Sequence, residues 1–272
     1  MNSSNNNEWT LKVKQFCKEF NIPEFYLSNV LYDPKVTPMI RGKAFEFSAM
    51  LALKRILLPV WEVSKPIMNP QLGYHDMDIA VKHKPSNKVI RVECKLAKNT
   101  SYRLFADGHN EIQVKCMRSR TLGTAMVKSL SKKWKIPEDM LTIHNDNYLP
   151  DAFDVVITSI GNAFYKTNPQ TEVFEWQPTD RGTDFLNSIN LSKENNLKDF
   201  AFNQMYIAIS TDLIGSKLNS VCRRRKCMDK KHCPFIPNYP KIIFDKTLEP
   251  INGWVSLERS ETLLKSLLKR KT

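Results

Sequence analysis

Met77-Asp-Ile-Ala-Val81, Lys84-Pro-Ser-Asn87 and Val89-Ile-Arg-Val-Glu-Cys-Lys-Leu96 form the stretch from which the fold is read. In its last part Ile90, Val92, Cys94 and Leu96 are apolar, whereas the alternate positions Arg91, Glu93 and Lys95 are charged. A period of two places these sets on opposite faces of a β-strand, so one face can be buried. Lys84-Pro-Ser-Asn87 has turn composition, so Met77–Val81 and Val89–Leu96 are expected to pair as a hairpin. That pairing brings Asp78 close to Glu93 and Lys95.

Two carboxylates beside an ammonium group have a chemical reading. Hard divalent cations such as Mg2+ take oxygen ligands, often one or two carboxylates, and leave their other positions to water and phosphate. A metal held in this way polarises a phosphoryl group and acidifies bound water, and a neighbouring lysine can orient that water or stabilise developing charge. Surface strands also carry Glu and Lys on a solvated face, so the pattern needs support from its surroundings.

The order Asp78, then Glu93-Cys94-Lys95, resembles the PD-(D/E)xK nucleases, the superfamily that holds most type II restriction endonucleases. The resemblance covers residues 41–130, with Met77 where the family often has Pro. It implies an α/β fold with a central mixed β-sheet flanked by helices on both faces, with additional C-terminal elements. It also implies Asp78 and Glu93 as Mg2+ ligands, Lys95 acting on the attacking water, and cleavage of double-stranded DNA to a 5′-phosphate and a 3′-hydroxyl. A homodimer on a palindromic site follows from matched two-fold symmetry. Asp76 shares a face with Asp78; Asp78 is preferred because Ile79-Ala80-Val81 follows it directly. His75 lies close to both.

Residues 41–58 read as a helix ending before Pro59, in which Glu46 falls among Met50, Leu53 and Leu57. A carboxylate in an apolar arc needs a partner or a metal. Many members of the resembled family have an acidic residue on the helix before the catalytic hairpin, and Glu46 is the candidate for that role.

Lys and Arg number 41 against 28 Asp and Glu, for a formal net charge of +13. A polyanion is the natural partner of such a chain. Basic residues gather in Gln113–Arg120 and Lys128–Lys135, on what reads as a long helix starting near His109, with Lys115, Arg118 and Arg120 as phosphate contacts. No apolar run reaches the roughly 18 residues of a membrane span, and residues 1–7 lack the pattern of a secretory signal, so the expectation is cytoplasmic.

The expected organisation is an N-terminal helical cap (1–40), a catalytic core (41–160), and a sheet extension with a DNA-recognition region (161–272), the last packed as one unit with the core. Strands are expected near 153–158, 204–210 and 241–244, all extending the hairpin's sheet, with 161–200 an irregular insertion. Leu263, Leu264, Leu267 and Leu268 have the spacing of an amphipathic helix.

Three cysteines fall in Cys222-Arg-Arg-Arg-Lys-Cys227-Met-Asp-Lys-Lys-His232-Cys233. Together with His232 they offer a ligand set for structural Zn2+, although adjacent His232 and Cys233 rarely point the same way, which leaves room for a ligand from elsewhere. Arg223, Arg224 and Arg225 make this loop a candidate for phosphate or groove contact. Cys17, Cys94 and Cys116 read as core fillers, and His83, His109 and His144 as isolated histidines. With eight glycines and no Gly-rich phosphate loop, ATP-driven and hydride chemistry are not expected. Two other functions fit the residues: a structure-specific repair or recombination nuclease, and a non-catalytic zinc-dependent nucleic-acid-binding protein.

Overall fold

The computed structural model describes residues 3–66, 77–215, 217 and 221–270. The chain falls into two units: Met1–Ala44 with Thr167–Glu175, and Phe45–Lys166 with Trp176–Thr272. In chain order the elements are α1 (Ser3–Glu19), α2 (Leu27–Tyr32), α3 (Thr37–Ile56), β1 (Trp61–Ser64), β2 (Ile79–His83), β3 (Lys88–Cys94), β4 (Arg103–Leu104) and β5 (Asn110–Gln113). These are followed by α4 (Thr124–Trp134), α5 (Glu138–Ile143), β6 (Val155–Ser159), β7 (Tyr165–Thr167), β8 (Phe174–Trp176), α6 (Asp180–Ile189) and α7 (Leu197–Asn203). The chain closes with β9 (Met205–Ile209), β10 (Lys241–Phe244), β11 (Pro250–Ile251), β12 (Trp254–Ser256) and α8 (Ser260–Arg270).

The larger unit is a mixed α/β structure built on a six-stranded sheet of order β1-β2-β3-β6-β9-β12. The hairpin forms as expected, with Ile79 opposite Val92 and Val81 opposite Ile90. Its turn places Asn87 at φ 53°, a left-handed conformation that asparagine tolerates better than most residues. β3 and β6 run parallel, with Val92 beside Val155 and Cys94 beside Ile157, and the other neighbouring pairs are antiparallel.

Alternation along the strands builds two cores. Ile79, Val81, Ile90, Val92, Val155, Ile157, Ile207 and Ile209 face one way, packed with Phe45, Ala49 and Leu53 of α3 and Leu264 and Leu267 of α8. Val156, Tyr206 and Ala208 face the other way, among Phe185 and Leu186 of α6, Phe200 and Ala201 of α7, and Ile112, Ile242 and Phe244 of a second sheet. That sheet has four strands in the order β11-β10-β5-β4. α7 approaches closely enough that a Cβ on Gly161 would lie 2.9 Å from the Phe202 backbone, which restricts the position to glycine.

Three expectations are corrected. Residues 109–120 do not open a long helix. Asn110–Gln113 is strand β5, held between β4 and β10, and the chain from Val114 to Gly123 is irregular; long-range ladder pairing overrides local preference there. Lys241–Phe244 does not extend the central sheet, because its partners are β5 and β11. Residues 161–200 are not irregular, since they contain β7, β8, α6 and α7. The C-terminal helix does dock on the body through Leu264 and Leu267. Among the described residues no helix is long and apolar enough to cross a membrane.

Ile90 is fully buried between the hairpin and α3. Ile90→Ala is expected to lower stability by about 2–5 kcal/mol, read as a lower urea midpoint at unchanged slope.

Candidate functional site

The β2–β3 register determines which side chains meet. The ladder ends at the Ile79–Val92 pair, and just before it Asp78 N donates to Val92 O at 3.0 Å, which brings Asp78 beside the Glu93-Cys94-Lys95 segment. Asp78 Oδ2 accepts a hydrogen bond from Cys94 N at 2.8 Å, which fixes the carboxylate against the start of the Glu-Cys-Lys segment. Cys94 turns into the α3 side of the sheet, whereas Glu93 lies on the opposite face and is only 2% exposed. The charged face of β3 is therefore covered at its centre rather than solvated.

Glu93 is held from two sides. Lys95 Nζ lies 2.6 Å from Glu93 Oε1, and the Tyr148 hydroxyl donates to the same oxygen at 3.1 Å. Lys95 also sits over the Tyr148 ring, 5.2 Å from its centroid, and Arg118 stacks on that ring at 4.7 Å. Glu46 is buried on α3, as its place in an apolar arc predicts, and Lys65 forms its ion pair. Lys65 Nζ also reaches Asp78 O at 3.5 Å and lies 5.1 Å from the centre of the Phe47 ring. Asp78, Glu93, Lys95 and Glu46 thus belong to one charged cluster, together with Lys65 and Tyr148, for which the sequence carries no local signal. Asp76 and His75 lie outside the described residues.

Three carboxylates facing two ammonium groups in a partly dry site have an electrostatic consequence. Burial pushes the Asp78 carboxyl up to about 7, with repulsion from Glu93 and Glu46 adding to it and the Cys94 N–H and Lys95 opposing it. Lys95 is also shifted upward, but for Lys95 this favours the charged form. Burial pulls its pKa down, but the Glu93 carboxylate and Tyr148 outweigh that and hold it well above the usual lysine value. Lys95 is a fixed cation near neutral pH, whereas Asp78 is poised to exchange a proton for another positive charge. Carboxylate oxygens are the donors hard divalent cations take.

A second cluster lies elsewhere in the same unit. The ligating atoms of His144, Cys222, Cys227 and Cys233 all lie within 4.8 Å of one another, a set compatible with zinc. Among the described residues this is the one group of three or more His, Cys, Asp or Glu side chains drawn to such spacing. His232 is not part of it: its side chain is 68% exposed and pairs with Asp229. His144 takes the place expected of His232, from a position 78 residues before Cys222.

The basic residues divide. Lys115, Arg120, Arg223 and Arg225 are exposed. Arg224 is committed inward, to an ion pair with Asp146 and a bond to Asn147 Oδ1 at 3.3 Å. Arg118 is half-buried on Tyr148 and donates to Asn147 O at 3.1 Å. Cys17, Cys94 and Cys116 are buried, as expected of core fillers. Comparison with protein-family models, with curated proteins and with solved structures finds no match for this chain.

The Asp78 shift makes a signed prediction. Its folded-state pKa exceeds the ordinary 3.8, so the folded chain holds the proton longer than the unfolded one, and the contribution of Asp78 to stability falls as pH rises from 3.8 to about 7. Asp78→Asn keeps an acceptor for Cys94 N and removes that titration. Without divalent metal, urea unfolding should show the variant gaining on the wild type by about 1 kcal/mol per pH unit over this window, whereas parallel curves would disprove the assignment.

Proposed function

We propose that the protein is a Mg2+-dependent endonuclease that hydrolyses phosphodiester bonds in double-stranded DNA at a specific sequence, with a restriction-endonuclease-like core. The observation that carries this reading is the cluster in which the Asp78 carboxylate is fixed on the Cys94 amide at 2.8 Å, close enough to Glu93 for the two carboxylates to repel, with the Lys95 ammonium 2.6 Å from Glu93. The order of these residues resembles that of the PD-(D/E)xK nucleases. The mixed six-stranded sheet with helices packed on its faces is compatible with the fold that the resemblance implies.

Asp78 and Glu93 would hold the ion, and Glu46 would assist from α3. When bound, the metal supplies Lewis-acid polarisation of the phosphoryl group and acidification of a coordinated water. Lys95 stays protonated, which suits it to orient water and to neutralise charge developing on a non-bridging phosphoryl oxygen rather than to remove a proton. Lys65 holds Glu46 in place, and Tyr148 holds Glu93; both are positioning residues. Attack by water on phosphorus, with release of the 3′ oxygen, leaves a 5′-phosphate and a 3′-hydroxyl. Lys115, Arg120, Arg223 and Arg225 are the exposed cations available to backbone phosphates, and a homodimer would match a palindromic site.

The Cys-His cluster beside a basic loop favours a second reading, a zinc-organised nucleic-acid binder without catalysis. The two readings separate in one assay on plasmid and phage DNA with magnesium or chelator. Discrete, magnesium-dependent fragments are expected from the wild type. Glu93→Ala should lose more than about 100-fold in cleavage rate, since even outer-shell partners of a metal are worth 10–100-fold, while it retains DNA binding. A variant as active as the parent refutes the site. Salt-sensitive binding with no cleavage under magnesium or manganese establishes the second reading, and cutting confined to flaps, junctions or ends marks a structure-specific nuclease.

Separately, Arg223→Ala and Arg225→Ala are each expected to weaken DNA binding uniformly across sequences and to reduce the salt slope by about one. Affinities measured over a salt series check this.

A further inference from the structure

His144, Cys222, Cys227 and Cys233 come together from two distant parts of the chain, and the spacing of their ligand atoms is compatible with a tetrahedral metal site. Zn–S bonds of about 2.3 Å and Zn–N bonds of about 2.0–2.1 Å imply S···S edges of about 3.8 Å and N···S edges of about 3.6 Å. His144 Nε2 lies 3.9 Å from Cys222 Sγ and 3.7 Å from Cys233 Sγ, and all four ligand atoms fall within 4.8 Å. The six cysteines are free thiols, so no disulfide competes for these sulfurs.

The surroundings are those of a ligand set. His144 Nδ1 lies 3.1 Å from Asn147 Oδ1, which accepts a hydrogen bond from Nδ1–H and leaves the Nε2 lone pair free to face the thiols. The ring is clamped by stacking on Phe235 at 4.4 Å. Arg224 N donates to Cys222 Sγ at 3.5 Å, a backbone N–H of the kind that supports a thiolate.

The lobe around the cluster needs a staple. Its core consists of Val127, Leu130, Leu141, Leu149 and Phe235 with Cys227 and Cys233, and the chain from Val221 to Pro240 contains no helix or strand. So small an apolar core adds little stability of its own. The same lobe reaches the charged cluster: Ile236 N donates to Tyr148 O at 2.8 Å, and Tyr148 is the residue whose hydroxyl bonds Glu93.

We propose that the chain binds one structural zinc ion through His144 Nε2 and the Sγ atoms of Cys222, Cys227 and Cys233, and that this ion pins the basic loop 221–238 to the segment 144–149 that carries Tyr148. Binding releases the three thiol protons to solvent and leaves a site of net charge −1. This assignment does not depend on the nuclease reading.

The test uses the full chain. Elemental analysis after gel filtration is expected to find about one zinc per wild-type chain. The same content is expected in His232→Ala and in Glu93→Ala, with almost none in His144→Ala and Cys233→Ser. His144→Cys, which completes a four-thiolate tetrahedron, should restore the metal even if His144→Ala fails to fold. Cobalt exchanged for zinc should show thiolate charge-transfer and tetrahedral d–d absorption. Stripping the metal should raise amide exchange in 144–149 and 221–238 above that of the central sheet. A folded wild type that contains no zinc and takes none up overturns the proposal, as does loss of zinc in His232→Ala with retention in His144→Ala. Loss of cleavage in Glu93→Ala with zinc retained separates this site from the catalytic one.

Discussion

The pairing of β2 with β3 is the constraint from which both the core and the charged cluster follow. With Ile79 opposite Val92, the residues Ile79, Val81, Ile90 and Val92 all enter one core, and Asp78 and Glu93, the next residues on either strand, are brought near each other beyond its edge. A slip of one residue would turn every apolar side chain of β3 toward the other layer and carry Glu93 away from Asp78. Apolar burial on one face therefore enforces an electrostatically unfavourable meeting on the other. The cost is visible in Asp78, whose carboxyl is pushed up to about 7 by burial and by the acidic neighbours the register gives it.

What could be read from the sequence was what local period encodes. Alternation marked the hairpin, β-branched runs marked β6 and β9, and leucine spacing marked α8. The apolar arc of α3 correctly placed Glu46 inside. What escaped depends on partners far along the chain. The Asn110–Gln113 segment is a strand only because β4 and β10 flank it, and Lys241–Phe244 gives no sign of which sheet it joins. His144 has no neighbouring cysteine to mark it, and Tyr148 and Lys65 become part of the site only through tertiary contact. Of the adjacent candidates His232 and Cys233 only Cys233 turns inward; the His232 side chain is exposed beside Asp229, and the fourth ligand comes from elsewhere in the chain.

The two clusters illustrate different solutions to burying polar chemistry. Around Glu93 the ion pair to Lys95, the Tyr148 hydroxyl and the Lys65–Glu46 pair keep charge in a partly dry place, and compensation is incomplete. Beside His144 the three thiols are neutral when protonated, and burial pushes the Cys233 thiol up to about 12, with Cys222 and Cys227 adding to it. The first arrangement has unspent electrostatic potential of the kind reactive sites need, and the second has a closed shape of the kind that holds a fold together.

His144 and Cys233 meet across 89 positions of chain. A nascent polypeptide must therefore be extended past residue 233 before these two side chains can touch. The Ile236 N–H bond to Tyr148 O waits in the same way for residue 236 to be made, so the support behind Tyr148 is assembled after the hairpin that carries Glu93.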